Sequence, residues 1–231
     1  MPSIIECMKR TLFLATAVSA LAGATPAYAS FHLMQIEQVV GGVAGRVDRQ
    51  AIQLRMRDPL FPQNFVSFGR IYAWDATGSN PVLIIDFVTD VVNGNRARVL
   101  VVSSAFASAY GSGDFVMTNP IPASYLAAGR LTFEDDLGTV YWSLSWGGSA
   151  YTGSNAGSVF NDADGDFGPP FGSVLPASTA AAVAFTGIAT AASTTNLADY
   201  AITAGAATFT TNGGVTRPLP SDVIFGDGFE S

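Results

Sequence analysis

The sequence predicts an all-β chain folded as an antiparallel sandwich or barrel, and three observations carry that prediction. Turn formers recur at short intervals: Gly41-Gly42, Asp58-Pro59, Gly78-Ser79-Asn80-Pro81, Asn93-Gly94-Asn95, Gly111-Ser112-Gly113 and Asp136-Leu137-Gly138. Strand-length runs lie between them, several with strict apolar/polar alternation. Charged residues make up only 13% of the chain while Gly, Ala, Ser and Thr are abundant, a profile that fits a turn-rich β domain better than a helical bundle. Many short strands with close turns bury their faces most readily by stacking two sheets or closing one.

The elements follow in order. Phe31 to Val40 is a first strand. In Ala51 to Arg57, Ile52, Leu54 and Met56 face one way and Gln53, Arg55 and Arg57 the other, the signature of a half-buried antiparallel strand. Val66 to Trp74 reads as one strand with Val66, Phe68, Tyr72 and Trp74 on a shared side. Val82 to Val88 is apolar on both faces apart from Asp86, as a central strand would be, and Arg98 to Val102 is another apolar run. Leu131 and Phe133 oppose Arg130, Thr132 and Glu134. Val140, Trp142, Leu144 and Trp146 form a stripe opposite Thr139, Tyr141, Ser143 and Ser145, and the acidic-glycine turn between the two runs predicts a hairpin. Gly147 to Ser178 is weakly patterned and predicts a long surface loop. Ala180 to Ala192 fits either a short helix or a strand, and Tyr200 to Ala207 and Thr208 to Thr211 are the final strand candidates.

Both ends have their own character. Met8-Lys9-Arg10, the apolar run Thr11 to Gly23 and Ala27-Tyr28-Ala29 match a secretory signal cut before Ser30, which assigns residues 1–29 to a signal peptide and the chain to a secreted, extracellular or cell-surface location. The apolar run is too short for a bilayer span of about 20 residues, and no later stretch is longer, so no transmembrane span is expected in the mature chain. The β domain is expected over residues 30–214. Arg217-Pro218-Leu219-Pro220 reads as an extended linker over 215–221, because proline cannot donate to a ladder. Residues 222–231 form a separate tail.

The only cysteine, Cys7, precedes the expected cut, so the mature chain has no disulfide, thiolate metal site or cysteine nucleophile, and its core alone must hold it. The only lysine, Lys9, is lost likewise, which removes Schiff-base and P-loop chemistry. A formal charge of -7 weighs against sequence-independent nucleic-acid binding, which depends on cation–phosphate contacts. His32 is the only histidine and no Gly-x-Ser-x-Gly elbow accompanies it, so a Ser-His-Asp triad has little to draw on.

Three groups could still carry function. Asn161, Asp162, Asp164 and Asp166 are candidate calcium ligands, since alternating carboxylates in a turn can converge on one ion; Phe167 stands where an EF-hand loop needs glycine, and no other cofactor is expected. Glu134, Asp135 and Asp136 could supply a glycosidase-type acid/base pair, although such pairs flank a substrate from separate strands. Among the clustered rings, Trp142 and Trp146 share the apolar stripe and belong to the core, leaving Tyr141 and Tyr151 as the surface rings that could bind a ligand by stacking.

The order of the pieces resembles the lamin-tail type of immunoglobulin-like domain. The residues that carry the resemblance are Gln35 to Gly42, the strand Ala51 to Met56, Ile71-Tyr72-Ala73-Trp74, the Val-rich run Arg98 to Val102 with Phe106 downstream, the leucine strand Arg130 to Phe133 before Asp136-Leu137-Gly138, and Asp199-Tyr200-Ala201-Ile202. It departs from that pattern at Gln53, where an acidic residue is usual. The resemblance implies an immunoglobulin-like antiparallel β-sandwich with a non-catalytic attachment or binding role. The final Ile224-Phe225-Gly226-Asp227-Gly228-Phe229-Glu230-Ser231 resembles a short tail found on many otherwise unrelated bacterial secreted proteins, with Phe225, Asp227, Gly228, Phe229 and Glu230 its distinctive residues. The expectation is an exported module that binds an envelope or extracellular component, a glycan or a protein. The alternatives are a secreted carbohydrate-active hydrolase using carboxylates and a structural surface or matrix protein.

Overall fold

The computed structural model describes residues 30–57, 61–188 and 193–221. The signal segment and the terminal tail motif therefore lie outside the described residues. Twelve strands are described: β1 (Met34–Val40), β2 (Ala51–Met56), β3 (Gly69–Trp74), β4 (Val82–Asp86), β5 (Arg98–Val102), β6 (Phe115–Val116), β7 (Gly129–Asp135), β8 (Val140–Trp146), β9 (Val183–Phe185), β10 (Tyr200–Ile202), β11 (Thr208–Thr210) and β12 (Thr216–Pro218). Two short helices join them, α1 (Ser104–Tyr110) and α2 (Asn196–Asp199). The order β10-β9-β1-β2-β5-β6 makes a six-stranded sheet, β4-β3-β7-β8 a four-stranded one, and β11-β12 a small ribbon. The pairs are antiparallel except β5 with β6. The chain is thus an all-β sandwich. Among the described residues no helix is long and apolar enough to cross a membrane.

The alternation of β2 explains the inner layer. Ile52, Leu54 and Met56 join Met34, Ile36 and Val39 of β1 and Val99 and Val101 of β5 against Leu131, Phe133, Trp142, Leu144 and Trp146 of the smaller sheet. The outer face of β2 is buried as well, contrary to the half-buried expectation, because α1 and the β11-β12 ribbon cover it. There Val40, Ala51, Leu100 and Val102 meet Phe106, Phe209 and Leu219 in a second core. The Ser103 hydroxyl starts α1 by accepting from Phe106 N at 3.1 Å while donating to Asp48 O at 2.6 Å. Gly111 ends it at φ +102, where a Cβ would lie 2.6 Å from Arg217 Nε of β12.

Four expectations are corrected. Residues 66–68 form a 3-10 turn, and Gly69, where a Cβ would lie 2.8 Å from the Phe133 ring, restarts the alternation. Val66, Ile71 and Ala73 consequently point inward and Tyr72 and Trp74 outward, so Val66 does not share a side with Tyr72. Val82 to Asp86 is an edge strand rather than a central one, and its free edge is covered by Thr118 and Asn119, whose N–H groups donate to Ile84 O. Residues 216–218 are not a linker: Pro218 sits opposite Thr208 at the edge of the ribbon, where proline loses no ladder bond, and Leu219 is 3% exposed. The loop after β8 has no strand, but Phe167, Phe171 and Leu175 anchor it to the main core, and the choice over Ala180–Ala192 falls to a strand at 183–185.

Candidate functional site

The outer face of the four-stranded sheet is built from the polar halves of three alternating strands. On β3 it presents Arg70, Tyr72 and Trp74, each half-buried. Across the β3–β7 register these stand opposite Glu134, Thr132 and Arg130. Ser143 and Ser145 of β8 lie beyond Thr132 and Arg130. Two rings at i and i+2 therefore form a strip along one strand, with centroids 6.1 Å apart and planes tilted by 47°.

Hydrogen bonds fix the strip. Trp74 Nε1 donates to Thr132 Oγ1 at 2.9 Å, and the Thr132 hydroxyl donates to Glu134 Oε1 at 2.8 Å. The Arg70 guanidinium lies 5.2 Å from the Tyr72 ring centroid, and its Nη2 is 3.9 Å from Glu134 Oε2. Arg70 Nε is buried without a hydrogen-bond partner. Arg130 is spoken for: Nε donates to Ser143 Oγ at 2.7 Å and Nη2 to Ala156 O at 2.7 Å, so it pins the loop after β8 beside the strip. Burial pushes the Glu134 carboxyl above its ordinary value, and Thr132 and Arg70 offset this in part. The surface thus offers two half-buried rings and the half-buried Arg70 guanidinium, with the buried Glu134 carboxyl behind them.

The structure redistributes the residues singled out from sequence. Tyr141 and Tyr151 are buried, at 4% and 5% exposure, and present no stacking face. Tyr141 is covered because Phe31, His32 and Phe160 close over it, at ring distances of 5.6, 4.7 and 5.7 Å, and its hydroxyl donates to Asp135 Oδ2. Tyr151 turns its hydroxyl onto Ser154 O. Trp142 and Trp146 are fully buried, as their shared stripe predicts. Tyr72 and Trp74 are instead the half-exposed rings on the outer face of this sheet, and the signal lay in Arg70-Ile71-Tyr72-Ala73-Trp74, where Ile71 and Ala73 are the natural inward residues.

The carboxylates do not gather into a hydrolytic pair. Glu134 faces the strip, whereas Asp135 caps the β7–β8 turn by accepting from Leu137 N and Thr139 N, and Asp136 is exposed. The Ser30 hydroxyl donates to Gln63 Oε1 at 2.8 Å and lies 3.5 Å from His32 Nδ1, so His32 has no activated serine beside it. Burial lowers the His32 pKa.

In the acidic loop, Asn161 turns inward. Its Nδ2 donates to His32 O and Tyr141 O while Oδ1 accepts from Arg57 Nη1. Asp162 Oδ2 accepts from Thr194 N at 2.6 Å, Asp164 Oδ1 from Asp166 N, and Asp166 Oδ1 from Gly168 N. Each of these aspartates thus serves a turn. Among the described residues no three His, Cys, Asp or Glu side chains stand placed to hold a metal ion. Burial together with the neighbouring Asp164 pushes Asp162 up to about 6.

No family model, curated protein or solved structure matches this chain.

Proposed function

We propose that this chain is an exported, non-catalytic binding module that holds a glycan of the envelope or extracellular space across the Tyr72–Trp74 strip. The observation that carries the reading is the pair of half-buried rings on one sheet face, flanked by Arg70 and Glu134. Sugar rings present apolar faces ringed by hydroxyls, which suit an aromatic platform edged by donors and acceptors. The signal-like amino end supports export, and the resemblance to lamin-tail domains supports attachment rather than turnover.

Trp74 makes the test direct. The protein has three tryptophans, and Trp142 and Trp146 are fully buried, so iodide quenching of fluorescence reads Trp74 selectively. A bound glycan should protect it. Affinity electrophoresis in gels containing soluble polysaccharides should show retardation that Trp74→Ala removes. Unchanged quenching and migration across neutral and acidic polysaccharides would reject the strip as a glycan platform.

A second reading, hydrolysis with Glu134 as general acid, is favoured by one observation: its carboxyl is held above the ordinary range at the edge of the strip. Release of reducing ends by the purified chain, abolished in Glu134→Gln, would establish it in place of simple binding. For the terminal tail we propose a localisation role. Removing residues 222–231 should then shift the protein between cell surface and medium, and identical fractionation of the two forms would exclude it.

A further inference from the structure

Among the described residues the exposed phenylalanines are Phe61, Phe65, Phe68 and Phe160, and they gather where the chain enters the sandwich at Ser30. The other large apolar side chains that stand exposed are aliphatic. Ser30 N donates to Pro62 O, beside Phe61, and Ser30 O accepts from Phe65 N. The 3-10 turn at residues 66–68 sends Val66 into the core and leaves Phe65 and Phe68, three residues apart, on its outer side. Phe68 stacks on Phe31 with centroids 6.0 Å apart, and Phe160 stacks on His32 at 5.3 Å and meets Tyr141 edge-on at 5.7 Å. Phe31 lies buried between them and touches Phe133 of β7, so the outer rings rest on the main core. Phe68 and Phe160 are nonetheless 56% and 59% exposed, with Val159 beside Phe160 at 68%.

A group of exposed rings held in fixed positions marks a surface that something apolar covers. Two observations say what. The first is the chain that leads into it. The apolar run Thr11 to Gly23 is separated from Ser30 only by residues 24–29, whose greatest reach is about 20 Å. With that run engaged at a membrane, and until the expected cut before Ser30 is made, this end of the domain is tethered beside the bilayer. The second is charge. Asp90 Oδ1 accepts from Ser67 N, between Phe65 and Phe68, and Asp135 Oδ2 accepts from the Tyr141 hydroxyl, with the exposed Asp136 next to it. The rings therefore sit within an acidic rim. Such a rim repels anionic headgroups and accommodates zwitterionic ones, whose cationic group can face the carboxylates.

We infer that this aromatic end docks on a bilayer of zwitterionic lipid, with Phe68 and Phe160 entering the headgroup layer. The inference rests on the export reading of the amino end and does not depend on the Tyr72–Trp74 strip. A few half-exposed rings hold a surface weakly and reversibly. The leader strengthens the contact while it is attached, because it keeps the rings at high local concentration against the lipid. After the cut, the rings alone decide how long the domain lingers there.

The test takes the chain from Ser30 onward, which contains every described element, and floats it with phosphatidylcholine vesicles, with vesicles rich in phosphatidylglycerol as the anionic arm. It should float with the first and less with the second. Phe68→Ser combined with Phe160→Ser should lower the partition at least about tenfold, as expected when two exposed ring surfaces are lost. Trp74→Ala should leave it intact. A second measurement needs no variant. In phosphatidylcholine bicelles carrying a headgroup spin label, the ¹⁵N amide signals of Phe65, Phe68 and Phe160 should broaden, while those of Phe106 and Phe209 in the second core stay sharp. No flotation at millimolar lipid, equal broadening at all five positions, or stronger binding to the anionic vesicles would overturn the inference. Self-association that the double substitution removes, without vesicle binding, would overturn it too and assign the rings to a second copy of the chain. Fractionation of the host tests the export reading separately. A chain found only inside the cell would sink that reading, and with it the tether, whatever the vesicles show.

Discussion

At the scale of single residues, two substitutions separate binding from folding. Trp74 is half-buried on an outer face, so Trp74→Ala should weaken glycan binding roughly tenfold or more, as loss of an aromatic anchor does, while leaving Tm within a few degrees. Titration of the variant by affinity electrophoresis beside a thermal melt checks both halves. Glu37 is the reverse case. Glu37→Gln would leave Arg55 and Arg98 without their shared counter-charge, and we expect a loss of about 3 kcal/mol, the low end for a broken buried pair because Arg98 is 38% exposed. Urea denaturation measures it. Asp162 gives a pH signature. Its folded pKa of about 6 exceeds the ordinary 3.8, so the folded chain binds more protons than the unfolded one. The stability this brings is fully present below about 4 and is lost as pH rises through about 6. Asp162→Asn should remove that slope, and the difference between the two melting curves isolates it from His32, whose shift has the opposite sense. Since each aspartate of the loop already serves a turn, a chelator should leave Tm unchanged, and a fall in Tm would restore the calcium reading.

At the scale of elements, legibility followed the rhythm of the chain. Strand β2 and the β7–β8 hairpin could be read directly because a period of two ran through β2 and through the hairpin up to the bulge between Phe133 and Glu134, and a turn of known chemistry joined its strands. Strand β3 could not, because the 3-10 turn at residues 66–68 reset the phase just before it, and a one-residue reset exchanges the faces of everything downstream. The same inversion hid the candidate site, since Tyr72 and Trp74 became surface rings only once Ile71 and Ala73 turned inward. Tyr141 and Tyr151 misled for a different reason. Tyr141 alternates with Trp142 on β8 and Tyr151 lies in the loop after it, but distant segments, Phe31 and Phe160 for Tyr141, draw its ring into the core, and local sequence carries no trace of such cover. Pro218 misled as a stop signal because an edge position forgives the missing N–H. That correction has a measurable side: Leu219→Ala should cost about 2–5 kcal/mol by opening the second core, an outcome no spacer residue would give.

At the scale of the whole molecule, a chain with a single cysteine has no internal disulfide to lean on, and the sandwich rests on two cores stacked through one central sheet. The edges of its larger sheet are short, two residues in β6 and three in β10, and loops bond to the longer edges of the smaller sheet, with Thr118 N donating to Ile84 O of β4 and Ser158 N and Phe171 N to Val140 O and Ser145 O of β8. Short edges offer little template for edge-to-edge pairing, so concentrated protein should remain free of thioflavin-positive fibres at neutral pH. The pairing of β1 with β9 sets the order of events during synthesis. The first strand waits for residues 183–185 before its outer edge is satisfied, and the second core waits for Leu219. A chain made amino end first therefore cannot complete its larger sheet before residues 183–185, or its second core before Leu219, have emerged. For a chain exported as proposed, that delay is the interval in which a translocation channel could draw it through before it closes.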